Sequence, residues 1–225
     1  MLVGFSGLSV WYHKGSPVIR DISLALAEHE VVGLIGLNGA GKTTLINTIT
    51  GIHKEYSGGI NFADRAFKLR RYTIFAEDSS FKYYTFNEYI EHVFAAYGKK
   101  PDKKRVSKLI QGFSFENYQS VLIRDLSTGN RKKVYLITGF ALGLPLLILD
   151  EPVNGLDFQS TEYLYEQING YRQYGTVLFS SHVLESICLT SDRVFVLEDG
   201  KINREFQKGQ IDARVIREAL NDKNS

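Results

Sequence analysis

The sequence predicts an α/β fold: a mostly parallel sheet with helices on both faces, preceded by N-terminal antiparallel strands and interrupted by an inserted helical subdomain. Three observations lead there. Short apolar runs alternate with stretches of helical spacing along much of the chain. The glycine-rich segment GLNGAGKT at 36–43 stands between such a run, VVGLI, and a helical pattern. From about residue 78 to residue 139 the spacing turns helical and strongly aromatic before strand patterns resume.

The first part reads as strands over 8–12, 18–26 and 30–35, the second with alternating apolar positions. A helix follows over 42–50, stopped by Gly51, and 58–76 holds further short strands. The inserted region carries the basic stretch KKPDKKR. The most apolar segment, 134–149, is broken by Thr138, Gly139, Gly143 and Pro145, and falls short of the roughly 20 clean apolar residues that cross a bilayer. Pro145 divides it into a helix and a short buried strand, LLILD at 146–150. A helix over 159–170, strands over 176–180 and 193–197, and an amphipathic helix over 211–220 complete the pattern. One domain over 1–225 is expected, with a core of about 1–77 and 140–225 around a helical subdomain of about 78–139.

A chain of 225 residues, 44% hydrophobic and 23% charged, can bury a substantial core without disulfides or structural metal. Its formal charge of +2 is too small to argue for a nucleic-acid partner. Cys188 is the only cysteine, so no internal disulfide can form, which fits a reducing compartment. The opening MLVGFSGLSVWYHKG has neither a basic leader nor a long apolar stretch, so no secretory signal is expected. A soluble chain follows, whose membrane role, if any, comes through a partner.

GLNGAGKT fits G-x-x-x-x-G-K-[ST] in the strand-to-helix setting that pattern requires. Gly36, Gly39 and Gly41 allow close backbone approach, and successive amides with the helix N-terminus converge on a polyphosphate. Lys42 would reach the β- and γ-phosphates, and Thr43 would offer a hydroxyl to Mg²⁺. Leu37, Asn38, Ala40 and Thr44 complete the candidate ATP-binding run. The alternative is a glycine-rich turn with an incidental lysine, against which the strand and helix flanks argue.

LLILDEP at 146–152 sets two carboxylates at the end of a buried strand. Neighbours on a strand point to opposite faces, so Asp150 and Glu151 have different tasks. Asp150 suits the Mg²⁺ position, as a direct ligand or one step behind it. Glu151 is then free to orient the water that attacks the γ-phosphate and to take its proton. A solvated acid pair at a strand end is the plain alternative, weakened by the phosphate loop. His182 follows the strand TVLFSS, at the end of a parallel sheet where ligands bind; a lone histidine there is more often structural.

LSTGN at 126–130 resembles the signature of ABC ATPases, whose common form is LSGGQ. NGLD at 154–157 looks like that family's D-loop, SSH at 180–182 like its switch histidine, and Tyr12 stands where the family has an aromatic that stacks on adenine. With the phosphate loop and acid pair these motifs cover nearly the whole chain in the right order. The resemblance implies a RecA-like P-loop ATPase core with a helical subdomain. It also implies two subunits, alike or related, facing head to tail around two ATP molecules, each held between one phosphate loop and the other signature. Ser127 would cap the following helix, with its N-terminus and the Gly129 amide approaching the γ-phosphate. Asn130 and Asp157 join the nucleotide-facing set, and His182 joins Glu151 in catalysis. The same resemblance implies ATP hydrolysis that powers a separate membrane-spanning subunit, at the inner face of the cell membrane on the cytoplasmic side.

This sequence departs from the family pattern in three places. The signature has Thr128 for glycine and Asn130 for glutamine, and Glu77 stands where a glutamine that contacts nucleotide and Mg²⁺ is usual. Such variants, with NGLD and SSHVLE, look like the export branch. Competing readings are a non-transport ABC ATPase and a regulatory ATP-binding module. Another phosphate-loop class is opposed by the absence of an N-K-x-D motif.

Between 72 and 118 lie 12 of the chain's 28 aromatics (13 Tyr, 14 Phe, 1 Trp). Tyr89 and Phe94 are expected in a local core, but so small a subdomain cannot bury every ring. Phe81, Tyr83 and Tyr84, in FKYYTF, are expected to line a groove for the membrane subunit.

Overall fold

A computed structural model of the chain describes residues 1–62, 67–78 and 80–221. β1 (Val3–His13), β2 (Ser16–Leu26), β3 (Val31–Ile35), α1 (Lys42–Ile49) and β4 (Tyr56–Phe62) follow one another at the start. β1 pairs antiparallel with β2 on one side and β4 on the other, giving a three-stranded sheet. β5 (Arg71–Ile74) is followed by α2 (Phe86–Ala96), α3 (Lys103–Gly112) and α4 (Thr128–Leu142). Then come β6 (Leu146–Asp150), α5 (Phe158–Gly170), β7 (Thr176–Ser181), α6 (Leu184–Thr190), β8 (Arg193–Glu198), β9 (Lys201–Gln207) and α7 (Ala213–Asn221).

The larger sheet has the order β5-β6-β7-β3-β8-β9, parallel throughout except for β9, which runs antiparallel to β8. Period-two alternation on its central strands feeds two separate cores. Val32, Leu34, Leu146 and Ile148 join Leu45 and Ile46 of α1 and the inner residues Leu8, Val10 and Ile19 of the small sheet. Val31, Ile35, Leu147 and Leu149 face the other way, onto Val134, Leu164, Ile187 and the rings of Phe86, Phe113 and Phe115. Burial on both faces is why these strands read as unbroken apolar runs.

Among the described residues, 78–139 add no strand to either sheet; an isolated bridge joins Thr85 to Leu122. α2 opens on a capping box, in which Thr85 Oγ1 accepts from the Glu88 amide and the Glu88 carboxylate accepts from the Thr85 amide. The basic stretch is not a uniform charged face. Asp102 caps α3, and Arg105 reaches back to the Phe140 carbonyl with its guanidinium 3.7 Å from the Tyr174 ring centre.

Several elements differ from expectation. β1 starts at Val3, not near residue 8, because a register shift between Phe5 and Leu8 breaks the alternation that marks a strand. β9 and α6 had no counterpart in the sequence reading: one is a largely polar edge strand, the other only seven residues long. Part of the expected strand region 58–76, residues 63–66, lies outside the described residues. Among the described residues no helix is long and apolar enough to cross a membrane.

Candidate functional site at the carboxyl ends of the parallel strands

β3 delivers the chain into the loop that opens α1. Gly41 is the N-cap of that helix with φ of 108°, and a Cβ there would stand 2.7 Å from the Ile19 methyl. Only glycine fits both demands. No side chain caps α1, so its first amides are free for another acceptor. Lys42 is buried, and its ammonium donates to the carbonyls of Gly36 (2.7 Å) and Leu37 (3.3 Å) and pairs with Glu151 Oε1 at 3.3 Å.

The parallel register brings the other groups to the same edge. Asp150 lies beside Ser180 across the β6–β7 pairing. Thr43 Oγ1 donates to Asp150 Oδ2 (2.8 Å), and Ser180 Oγ donates to Asp150 Oδ1 (2.6 Å) while accepting from the Glu151 amide (2.9 Å). Glu151 leaves the strand with φ of 47°, a left-handed conformation uncommon outside glycine, and this turns its carboxylate away from Asp150's partners. It meets Lys42 on one oxygen and His182 Nδ1 on the other at 2.8 Å. The two acids therefore do diverge, but by a backbone turn rather than by simple strand alternation. His182 is itself half-exposed, whereas Asp150 is fully buried and Glu151 nearly so.

Glu77 is exposed and lines a cavity of about 650 Å³ together with Thr43, Asp150 and Asn47. Asp150, satisfied through neutral hydroxyls, and the Thr43 hydroxyl are hard oxygen donors of the kind Mg²⁺ takes, with Glu77 on the same cavity wall. Among the described residues no group of three His, Cys, Asp or Glu side chains could hold a metal unaided. The donor set thus fits a cation that also takes phosphate oxygens. Tyr12 is exposed, its hydroxyl 3.3 Å from Thr44 Oγ1 and its ring 4.7 Å from that of His53.

LSTGN lies elsewhere. Ser127 caps α4 by accepting from the Asn130 amide at 3.2 Å. Gly129 packs so closely on the NGLD turn that a Cβ would stand 2.3 Å from the Gly155 carbonyl oxygen. Asp157 caps α5 through the Ser160 amide (2.8 Å) and pairs with Lys133 (2.9 Å). The Lys133 ammonium, with the Ser160 hydrogen bonds, lowers the Asp157 carboxyl to about 2. Among the described residues, no side-chain hydrogen bond or ion pair joins Ser127, Asn130 or Asp157 to residues 36–43.

Sequence reasoning missed Ser180, whose hydroxyl ties both acids to the neighbouring strand; a polar residue ending a buried apolar run was the available signal. It also missed Lys132 and Lys133, buried on α4 although they sit in a charged run. Of the expected surface rings, Tyr83 is 64% and Phe81 38% exposed, while Tyr84 is half-buried. Tyr89 and Phe94 are in the core.

A family model described as "ABC transporter" matches residues 19–154. The chain is 36% identical over 216 residues to "Putative ABC transporter ATP-binding protein AlbC" of Bacillus subtilis (strain 168), covering 90% of each chain. It is 31% identical over 222 residues to "SkfA peptide export ATP-binding protein SkfE" of the same organism, covering 95% of this chain and 92% of that one. The fold superposes on a solved ATP-binding subunit of an ABC transporter with a TM-score of 0.83 at 25% identity, over 100% of this chain and 95% of that one. It also matches a dimeric ATP-binding cassette bound to ADP and Pi, with a TM-score of 0.81 at 20% identity, over 92% of this chain and 98% of that one. The family match over 19–154, the 36% identical relative and the shared fold agree: the chain belongs to the ABC transporter family, as one of its ATP-binding proteins.

Proposed function

We propose that this chain binds Mg-ATP and hydrolyses it to ADP and phosphate, powering export through a separate membrane-spanning subunit. The carrying observation is the hydrogen-bonded run from Thr43 through Asp150 and Ser180 to Glu151, closed by His182 and Lys42.

In this reading the amides at the start of α1 and the loop from Gly36 to Thr44 hold the phosphates, and Lys42 leaves its own loop carbonyls for the β- and γ-oxygens. Thr43, Asp150 and Glu77 hold Mg²⁺. Held by these residues, the cation would supply positive charge that offsets the charge of the nucleotide's phosphates. Glu151 accepts the proton of the attacking water, and His182 keeps the Glu151 carboxylate aimed through the 2.8 Å contact. Tyr12 stacks on the adenine. Ser127, Gly129, Asn130 and Asp157 serve the ATP of a second subunit, since LSTGN and NGLD make no side-chain link to their own phosphate loop among the described residues.

The core of about 1–77 and 140–225 would act against a helical subdomain of about 78–139, whose rings at Phe81, Tyr83 and Tyr84 receive the membrane subunit. The working location is then the cytoplasmic face of the cell membrane. Export is supported by the peptide-export name of one relative. Purification from detergent-solubilised membranes, followed by hydrolysis of ATP against GTP with and without the co-purifying membrane protein, tests this. ATP-selective turnover raised by that protein is expected. Turnover unaffected by any membrane protein would favour a non-transport ATPase, and ATP binding without turnover a regulatory module.

A further inference from the structure

Lys132 lies five positions beyond Ser127 on α4 and is 5% exposed. Its ammonium donates to the carbonyls of Phe75 at 3.0 Å and Ala76 at 2.9 Å. These are the two carbonyls immediately before Glu77. The backbone from Phe75 to Asp78 is also the shared wall of two cavities. One, of about 650 Å³, holds Thr43 and Asp150; the other, of about 430 Å³, is lined on its far side by Thr128, Arg131, Lys132 and Tyr135 of α4.

A buried ammonium is a costly way to satisfy two carbonyls, because it must shed its hydration. Burial lowers the Lys132 pKa, while the charges of Asp150, Asp78, Glu151 and Glu77 act in the opposite sense. The ammonium therefore sits where the acids of the nucleotide site favour it, and it touches none of them directly in the contacts described. β5 pairs with β6 so that Ile74 lies beside Leu149, which carries Phe75 and Ala76 out alongside Asp150 and Glu151. Any shift of α4 then pulls on the segment that enters Glu77, through two charge-assisted hydrogen bonds.

We propose that Lys132 is a positioning residue that pins the backbone before Glu77 to the helix beginning at Ser127. The carboxylate facing Thr43 and Asp150 and the turn facing a second subunit then move as one piece. The proposal rests on the ATP-binding reading of the site, but not on turnover.

The test compares the full-length parent, Lys132→Met, Glu77→Ala and the double variant. The Mg²⁺ concentration that half-saturates ATP binding is read by titration calorimetry, and thermal midpoints are read alongside. Lys132→Met is expected to shift that concentration by about threefold or more, in the same direction as Glu77→Ala, and to add little in the Glu77→Ala background, as coupled positions do. A lysine with only a structural role would lower the thermal midpoint and leave the Mg²⁺ dependence unmoved, or shift it equally in both backgrounds. Either result overturns the proposal. Where Lys132→Met does not fold, Lys132→Gln, which keeps a donor but no charge, takes its place in the same cycle. A parent that binds ATP without hydrolysing it defeats the enzymatic reading alone. A parent that binds no ATP defeats both.

Discussion

At the carboxyl ends of β3, β6 and β7, Lys42, Thr43, Asp150, Glu151, Ser180 and His182 are joined by hydrogen bonds and one lysine–carboxylate pair, and both acids and the lysine are buried. Around residues 81–92 the construction is different. Phe81 meets Tyr84, Tyr89 and His92, each with ring centres 5.3 Å away, yet Phe81 and Tyr83 stay open to solvent. Lys82 and Arg124 both lie over the Tyr83 ring, at 5.3 and 5.2 Å. The first region is polar and satisfied within the chain, so its geometry exists before a ligand arrives. The second is apolar and half-covered, with ring area left for another surface. Chemistry needs the preorganised kind of site and docking needs the unfinished kind. On the proposed function, one chain carries both.

This contrast can be broken from either side. Lys42→Ala removes the cation of the polar centre, and ATP binding measured by calorimetry should weaken by about 10- to 100-fold, the scale of a lost charged hydrogen bond. Binding of the membrane subunit to the ring surface should be unchanged. Truncating Tyr83 or Phe81 to Ala should do the reverse. Docking in detergent should lose about 1–3 kcal/mol, as for an anchoring ring, while ATP binding by the isolated subunit holds. Variants that still assemble and transport normally would remove the surface from the account.

The smallest effect is expected outside both regions, at the Asp157 cap of α5, which pairs with Lys133 of α4. Its folded pKa of about 2 lies below the ordinary 3.8. A depressed carboxyl contributes stability that is complete above the unfolded value and lost as pH falls through the folded one, so the window runs from about pH 4 to about pH 2. The side chain is 58% exposed, which screens the Lys133 pair, so Asp157→Ala should cost only about 0.5–1 kcal/mol of helix capping at neutral pH. The difference from parent should fade across that window in acid denaturation; a constant difference would argue against the pairing.

The polar centre was legible in the sequence where chemistry demands particular residue types close together: a glycine loop with Lys42 and Thr43, or Asp150 next to Glu151. It was not legible where the contact spans the chain. Ser180 reaches Asp150 only because β6 and β7 pair in register, and no local pattern encodes that pairing. Lys132 was hidden for another reason: a lysine in a charged run normally points outward, and only the tertiary course of β5 supplies the carbonyls that draw it in. The same limit applied to the fold. Continuous apolar strands announced a sheet buried on both faces, while β9, whose exposed positions are polar, and the early part of β1, broken by a register shift, gave weak signals.

The central claim is that Glu151 activates water beside a preformed nucleotide site. Glu151→Gln keeps the shape and hydrogen-bonding capacity of the side chain but removes the base. ATP binding and single-turnover hydrolysis measured on that one variant separate the two roles. The account predicts ATP affinity close to the parent's, with hydrolysis lowered about 100-fold or more and ATP-bound chains accumulating as pairs. Hydrolysis near the parent rate, with affinity intact, would contradict it.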